Sequence, residues 1–128
     1  MSYLLDTHTL LWWFHYPAAL SPTARAVIAD ASRSIFVSAV SAMEIALKHR
    51  KGKLAFARTL AQGFAAEVGA EGFTPLAITV DHAQRAGAYP AAHADPWDRL
   101  LAAQAEVDGL QLISCDKQIA ALGVTTLW

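Results

Sequence analysis

At 128 residues, 55% hydrophobic and only 16% charged, the chain excludes disorder and suits one domain over residues 1–128 with a core of its own. No apolar run reaches the roughly 18 uncharged residues of a membrane span, and no basic leader precedes an apolar start. The single cysteine, Cys115, excludes an internal disulfide framework, so the expected compartment is a reducing cytoplasm; the net charge of −1 lacks the overall basic signature of a nucleic-acid binder.

Tyr3-Leu4-Leu5 reads as a short strand ending at Asp6, and residues 7–15 as a Leu- and Trp-rich helix stopped before Pro17. Ser21 and Pro22 suit the N-cap and first position of a helix over 23–31. Ile35-Phe36-Val37, β-branched and aromatic between serines, reads as a buried strand. Ser41 is expected to cap a helix over 42–50, with Glu44 completing a capping box. Apolar residues at helical spacing predict one further helix over 54–68, stopped by Gly69 and Gly72. Residues 73–78 predict a strand that Pro75 places near a sheet edge. Thr79 caps a helix over 80–87, and residues 89–94 form a loop. A longer helix over 96–107 is opened by Asp95 at the N-cap and Pro96 at the first position. Asp108-Gly109 turns the chain into a buried strand over 110–114. Asp116 then starts a short helix to Leu122, and residues 124–127 form a last strand.

Strands alternating with helices define an α/β domain with a mostly parallel sheet covered on both faces. Ligands of such sheets gather outside the carboxyl ends of the strands. Asp6 follows the first strand directly and Asp116 follows the strand over 110–114 by two residues, Glu44 lies in the first turn of the helix after the Ile35–Val37 strand, and Asp98 lies in the first turn of the long helix. Each acid on its own could be a cap or a dipole partner. Four acids from four segments near one edge point instead to a cation, since clustered carboxylates repel without one. An all-oxygen set selects Mg²⁺ or Mn²⁺ over zinc.

No nucleophile competes: Cys115 reads as a small core residue at a strand end. His82 is expected on a surface helix turn, whereas His93, two residues before Asp95, can touch substrate or support a ligand. Lys48, Arg50, Lys51, Lys53 and Arg58 form a local basic patch, either a solvated helix end or a track for phosphates. Trp12-Trp13-Phe14 cannot all face one core, because consecutive helical residues point about 100° apart. The run is either wedged between sheet and neighbouring helix or meets another chain.

Leu4-Leu5-Asp6-Thr7-His8, Ser38-x-x-Ser41-x-x-Glu44-Ile45, His93-x-Asp95-Pro96-Trp97-Asp98-Arg99 with Leu100-Leu101-x-x-Gln104-Ala105, and Ser114-Cys115-Asp116 resemble, in order, the motifs of PIN-domain ribonucleases. The nearest likeness is to VapC-type toxins of bacterial toxin–antitoxin pairs. The resemblance implies a three-layer α/β/α fold, a pocket binding Mg²⁺ or Mn²⁺, RNA cleavage, a homodimer, and inhibition by a cognate antitoxin. Asp6, Glu44, Asp98 and Asp116 match the family's acidic positions and Thr7 its hydroxyl beside the first acid. Ser114 stands where threonine is usual, keeping the hydroxyl. Asp95 matches the first aspartate of the loop motif, and its capping position makes it mainly structural.

The expectation is therefore a metal-dependent endoribonuclease. Asp6, Asp98 and Asp116 would hold the metal, and Glu44 would ligate it directly or through water. Arg99 and the patch of Lys48, Arg50, Lys51 and Lys53 would position RNA phosphates. Two alternatives stay open: a non-catalytic PIN-like binding module using the aromatic run, and an aspartyl-phosphate-forming hydrolase. The latter would want an acid where His8 stands.

Overall fold

The computed structural model describes residues 1–90, 93 and 95–128; part of the loop expected over 89–94 lies outside the described residues. Five strands form one sheet in the order β3-β2-β1-β4-β5, every neighbouring pair parallel. They are β1 (Ser2–Leu5), β2 (Ser34–Ser38), β3 (Thr74–Leu76), β4 (Gln111–Ile113) and β5 (Thr126–Leu127). Pro75 sits on β3, an edge strand, where a missing backbone donor is tolerated.

Alternation along the strands divides the core into two layers. Tyr3, Leu5, Ile35, Val37 and Ile113 face one cluster. That cluster is completed by α1 (Thr7–His15), α2 (Pro22–Ala29), α4 (Arg58–Gln62) and α5 (Phe64–Ala70). Leu4, Phe36 and Leu112 face the other, built on α6 (Val80–Ala88), α7 (Pro96–Asp108) and α8 (Lys117–Ala120). The helix α3 (Ala39–Arg50) gives Ile45 to the first layer and Val40 to the second. The result is the three-layer α/β/α arrangement.

Three expectations need correction. The helix after β2 starts at Ala39, because the Ser38 hydroxyl accepts from the Val40 N–H. Glu44 therefore lies in the second turn and completes no capping box. The stretch 54–68 is not one helix: a 3₁₀ turn at Ala55–Ala57 leads into α4, and Gly63 separates it from α5. That break lets Ala57, Leu60 and Val68 all reach the core while Phe56 stays exposed. His82 is 1% exposed rather than on the surface. Its Nδ1 accepts the Thr79 N–H in a capping box, and its Nε2 lies 3.0 Å from Asp108 Oδ2.

The aromatic run resolves as packing against the first layer. Trp12, Trp13 and Phe14 are each half-buried there, and the Trp13 indole donates to Glu71 at 2.9 Å. Among the described residues no helix is long and apolar enough to cross a membrane.

Candidate active site

Strand β1 is central, and the chain leaves it towards β2 on one side and lies against β4 on the other. The carboxyl ends of β1 and β4 thus flank a topological switch point, the crevice where open α/β sheets hold ligands. Asp6 follows β1 directly, and Asp116 lies three residues past the end of β4. The Asp6 N–H donates to the Ile113 carbonyl at 3.2 Å, extending the β1–β4 ladder and fixing the backbone that carries the acid.

Asp6 is the N-cap of α1, accepting the Thr9 N–H at 2.8 Å, and Asp116 is the N-cap of α8, accepting the Gln118 N–H at 2.8 Å. Capping and site formation coincide here: a cap residue has a defined φ and ψ and points its carboxylate at the helix start. Asp98 lies in the first turn of α7, which Asp95 caps through the Trp97 N–H with Pro96 in the first turn. Asp6, Glu44, Asp98 and Asp116 all line one cavity of about 240 Å³, together with Lys48, His8 and His93. A larger cavity of about 420 Å³ opens elsewhere, around Ser2, Gln111 and Gly123. Its one carboxylate, Glu106, is already held by Arg85 and Tyr89.

Burial sets the electrostatics. Asp6 is 4% exposed, and desolvation raises its pKa above the ordinary 3.8 despite hydrogen bonds from Ser114 and Thr9. Asp98 is raised as well, first by desolvation, while the hydrogen bond from His93 opposes the shift. The charges of Asp95 and Asp116 push it further up, which places these acids within electrostatic reach of one another. Each of the four carboxylates is met by a donor of the chain. Lys48 Nζ lies 2.7 Å from Glu44 Oε2, and His93 Nε2 lies 2.8 Å from Asp98 Oδ2. Among the described residues no three His, Cys, Asp or Glu already stand at ligating positions. The donor set nonetheless suits a hard divalent cation: it is all carboxylate, desolvated at Asp6 and Asp98, and carries repulsion among its acids that a cation would relieve.

The supporting residues sort by contact. The Thr7 and Ser41 hydroxyls are 2.9 Å apart, both buried, so Ser41 braces the segment after β1 rather than capping α3. Ser114 is buried, and its Oγ accepts the Asp116 N–H at 3.0 Å. Lys48 reaches the cavity from α3, while Arg50, Lys51 and Lys53 stand exposed at the end of that helix, outside it.

Arg99 does not face the pocket. Its Nε donates to Ala86 O at 2.9 Å, its Nη1 to Pro90 O at 3.1 Å and His93 O at 2.9 Å, and its Nη2 to Gly87 O at 3.3 Å and to Tyr89 O. A guanidinium has five N–H donors, so none remains for a phosphate. Cys115 also departs from expectation: it is exposed beside the site. Desolvation and then the neighbouring charge of Asp6 hold its thiol above its ordinary pKa, which disfavours a thiolate nucleophile. Sequence reasoning overlooked His8 as a pocket residue and Ser41 as a brace. The signal for His8 was its place two residues past Asp6, in the first turn of α1; Ser41 carried none, because its partner is thirty-four residues away.

An open parallel α/β domain with an acidic crevice at its switch point is the class that this geometry defines. The PIN domain family model matches residues 3–124, and the chain belongs to the PIN domain family. No curated protein sequence matches it significantly. In fold it is similar to VapBC2 from Rickettsia felis, solved bound to a DNA fragment from its promoter. That match has a TM-score of 0.71 at 12% identity and covers 99% of this chain and 98% of that one. A toxin-antitoxin complex from Klebsiella pneumoniae is similar with a TM-score of 0.64 at 20% identity, covering 98% of this chain and 96% of that one. FitAcB from Neisseria gonorrhoeae is similar with a TM-score of 0.65 at 18% identity, covering 100% of this chain and 97% of that one.

Proposed function

We propose that this chain is a Mg²⁺- or Mn²⁺-dependent endoribonuclease and the toxin of a toxin–antitoxin pair, working in the cytoplasm. The observation that carries the reading is the convergence of Asp6, Glu44, Asp98 and Asp116, from four separate segments, on one pocket. Asp6, Asp98 and Asp116 would hold the metal, and Glu44 would ligate it directly or through water and orient the attacking water. When bound, the divalent ion supplies water activation and charge neutralisation at the phosphate.

The remaining roles belong to the chain's own groups. Lys48, drawn to Glu44 at the cavity wall, positions a phosphate, and Arg50, Lys51 and Lys53 extend RNA-backbone contact outwards. Thr7 and Ser114 keep the carboxyl edge in register, and His93 orients Asp98 within reach of substrate. Membership of the PIN domain family and fold likeness to toxin–antitoxin complexes support the toxin role. The complexes also support an antitoxin partner, and a homodimer belongs to the same proposal. A non-catalytic module would have no use for four acids gathered in one pocket at the switch point.

The test compares RNA cleavage by the chain and by Asp98→Asn, with Mg²⁺ or Mn²⁺ and with chelator. Cleavage is expected only with metal, falling by more than about 100-fold in the variant. Metal-independent cleavage that survives Asp98→Asn would sink the reading. In cells, induced expression is expected to arrest growth, and Asp98→Asn to relieve the arrest.

A further inference from the structure

Three rings lead out of the acidic pocket one after another. His8 lines the cavity and is exposed. Its ring centroid lies 5.8 Å from that of Trp12, tilted by 41°, and Trp12 lies 5.7 Å from Trp128, tilted by 59°. Neither tryptophan lines the cavity, so the row begins at the carboxylates and runs away from them.

Two distant parts of the chain assemble this row. His8 and Trp12 are four residues apart on α1 and therefore neighbours on one helix face, just after Asp6. Trp128 follows β5, and because all strand pairs are parallel it lies at the same carboxyl edge as the acids. Trp12 is half-buried against the first core layer, whereas Trp128 is 36% exposed. The row is thus anchored below and open at both ends. Trp13, next to it in sequence, shows the other use of an indole here: it is tied to Glu71 and packed on Phe73.

The occupant follows from charge. Among the described residues Lys48 is the only lysine or arginine lining a pocket that holds Asp6, Glu44, Asp98 and Asp116. The pocket rim therefore offers a strand a single cationic side chain for its phosphates, and Arg50, Lys51 and Lys53 lie outside it. A strand crossing this rim makes its favourable contacts through uncharged base faces, for which aromatic side chains are the general partner. We propose that His8, Trp12 and Trp128 form a base-stacking subsite for a nucleotide next to the phosphodiester held at the acids. The subsite rests on the nuclease reading for its substrate, a single-stranded RNA.

The test separates stacking from charge. The Asp98→Asn chain is titrated with a short fluorescent oligoribonucleotide and with a matching one that carries abasic sites but the same number of phosphates. The base-bearing strand is expected to bind about fivefold or more tighter. Trp128→Ala and His8→Ala, each in the Asp98→Asn background, are expected to erase that difference, and Trp128→Phe to restore it. His8 is exposed, so its variant keeps the test valid should Trp128→Ala unfold. Equal binding of the two strands by the parent, or discrimination that survives both alanine changes, overturns the subsite. Wild-type cleavage measured in parallel keeps the two readings apart. Cleavage without base discrimination removes only the platform, and discrimination without cleavage keeps the platform as a binding site while removing the nuclease.

Discussion

Replacing Arg99 with alanine removes five hydrogen bonds together, those from its guanidinium to the carbonyls of Ala86, Gly87, Tyr89, Pro90 and His93. The contacts to Ala86, Tyr89 and His93 are partly buried, and those to Gly87 and Pro90 are exposed. Water replaces the exposed pair at little cost, but the partly buried carbonyls lose a charged donor, each such bond contributing roughly 1.5–3 kcal/mol. Since the three act as one clamp and do not add fully, the expected loss is about 3–5 kcal/mol. For a chain of this size that corresponds to a fall in Tm of about 10–20 °C. Lysine cannot fork to several carbonyls, so Arg99→Lys is expected to recover only a minor part. Because the clamp also holds the backbone of His93, which meets Asp98, cleavage should fall in kcat while KM for RNA changes little. Thermal and urea unfolding, with kinetics on the same preparations, provide the check. A variant that melts within about 2 °C of wild type yet shows a many-fold higher KM would refute the clamp and return Arg99 to the phosphate.

Asp6 has a raised pKa in the folded chain, so between the ordinary 3.8 and its folded value the native state binds the extra proton. Metal-free stability contributed by this group therefore falls as pH rises through that window, and Asp6→Asn should be the more stable chain in chelator at neutral pH, with a flatter pH profile. An Asp6→Asn Tm below that of wild type under those conditions would contradict this. Saturating Mn²⁺ at about 100 times its Kd should stabilise wild type by about 2.7 kcal/mol and Asp6→Asn far less, read by thermal shift. Lys48→Met frees Glu44 from its 2.7 Å partner and is expected to raise KM for RNA about tenfold or more with the fold intact, measured by steady-state cleavage. Gly109 ends α7 at φ 66° with open space around it, so Gly109→Ala costs about 1–2 kcal/mol through backbone strain alone, measured by urea unfolding.

Much of this molecule is legible one element at a time. Asp95-Pro96 places the start of α7, Ser21-Pro22 that of α2, and Pro75 consigns its strand to an edge, because capping and ring geometry act within a few residues. The acids Asp6 and Asp116 are legible for the same reason, each following a short apolar strand. Ser41 and His82 are not. Ser41 bonds Thr7 and His82 meets Asp108, partners thirty-four and twenty-six residues away, and local pattern offers nothing to pair them. The break at Gly63 is likewise invisible to periodicity, since apolar spacing is preserved on both sides of it.

The sequence by itself determined the alternation of strands and helices, the parallel sheet, and that Asp6, Asp98 and Asp116 stand at element ends, though it set Glu44 one turn too early. Those features depend on residue chemistry over a turn of helix or a strand. Only the tertiary structure decided what faces what. It spent all five donors of Arg99 on backbone, kept Lys48 at the pocket while leaving Arg50, Lys51 and Lys53 outside, and set Trp128 beside Trp12. Side-chain direction and the register of distant strands settle such matters, and both are fixed only when the two core layers close.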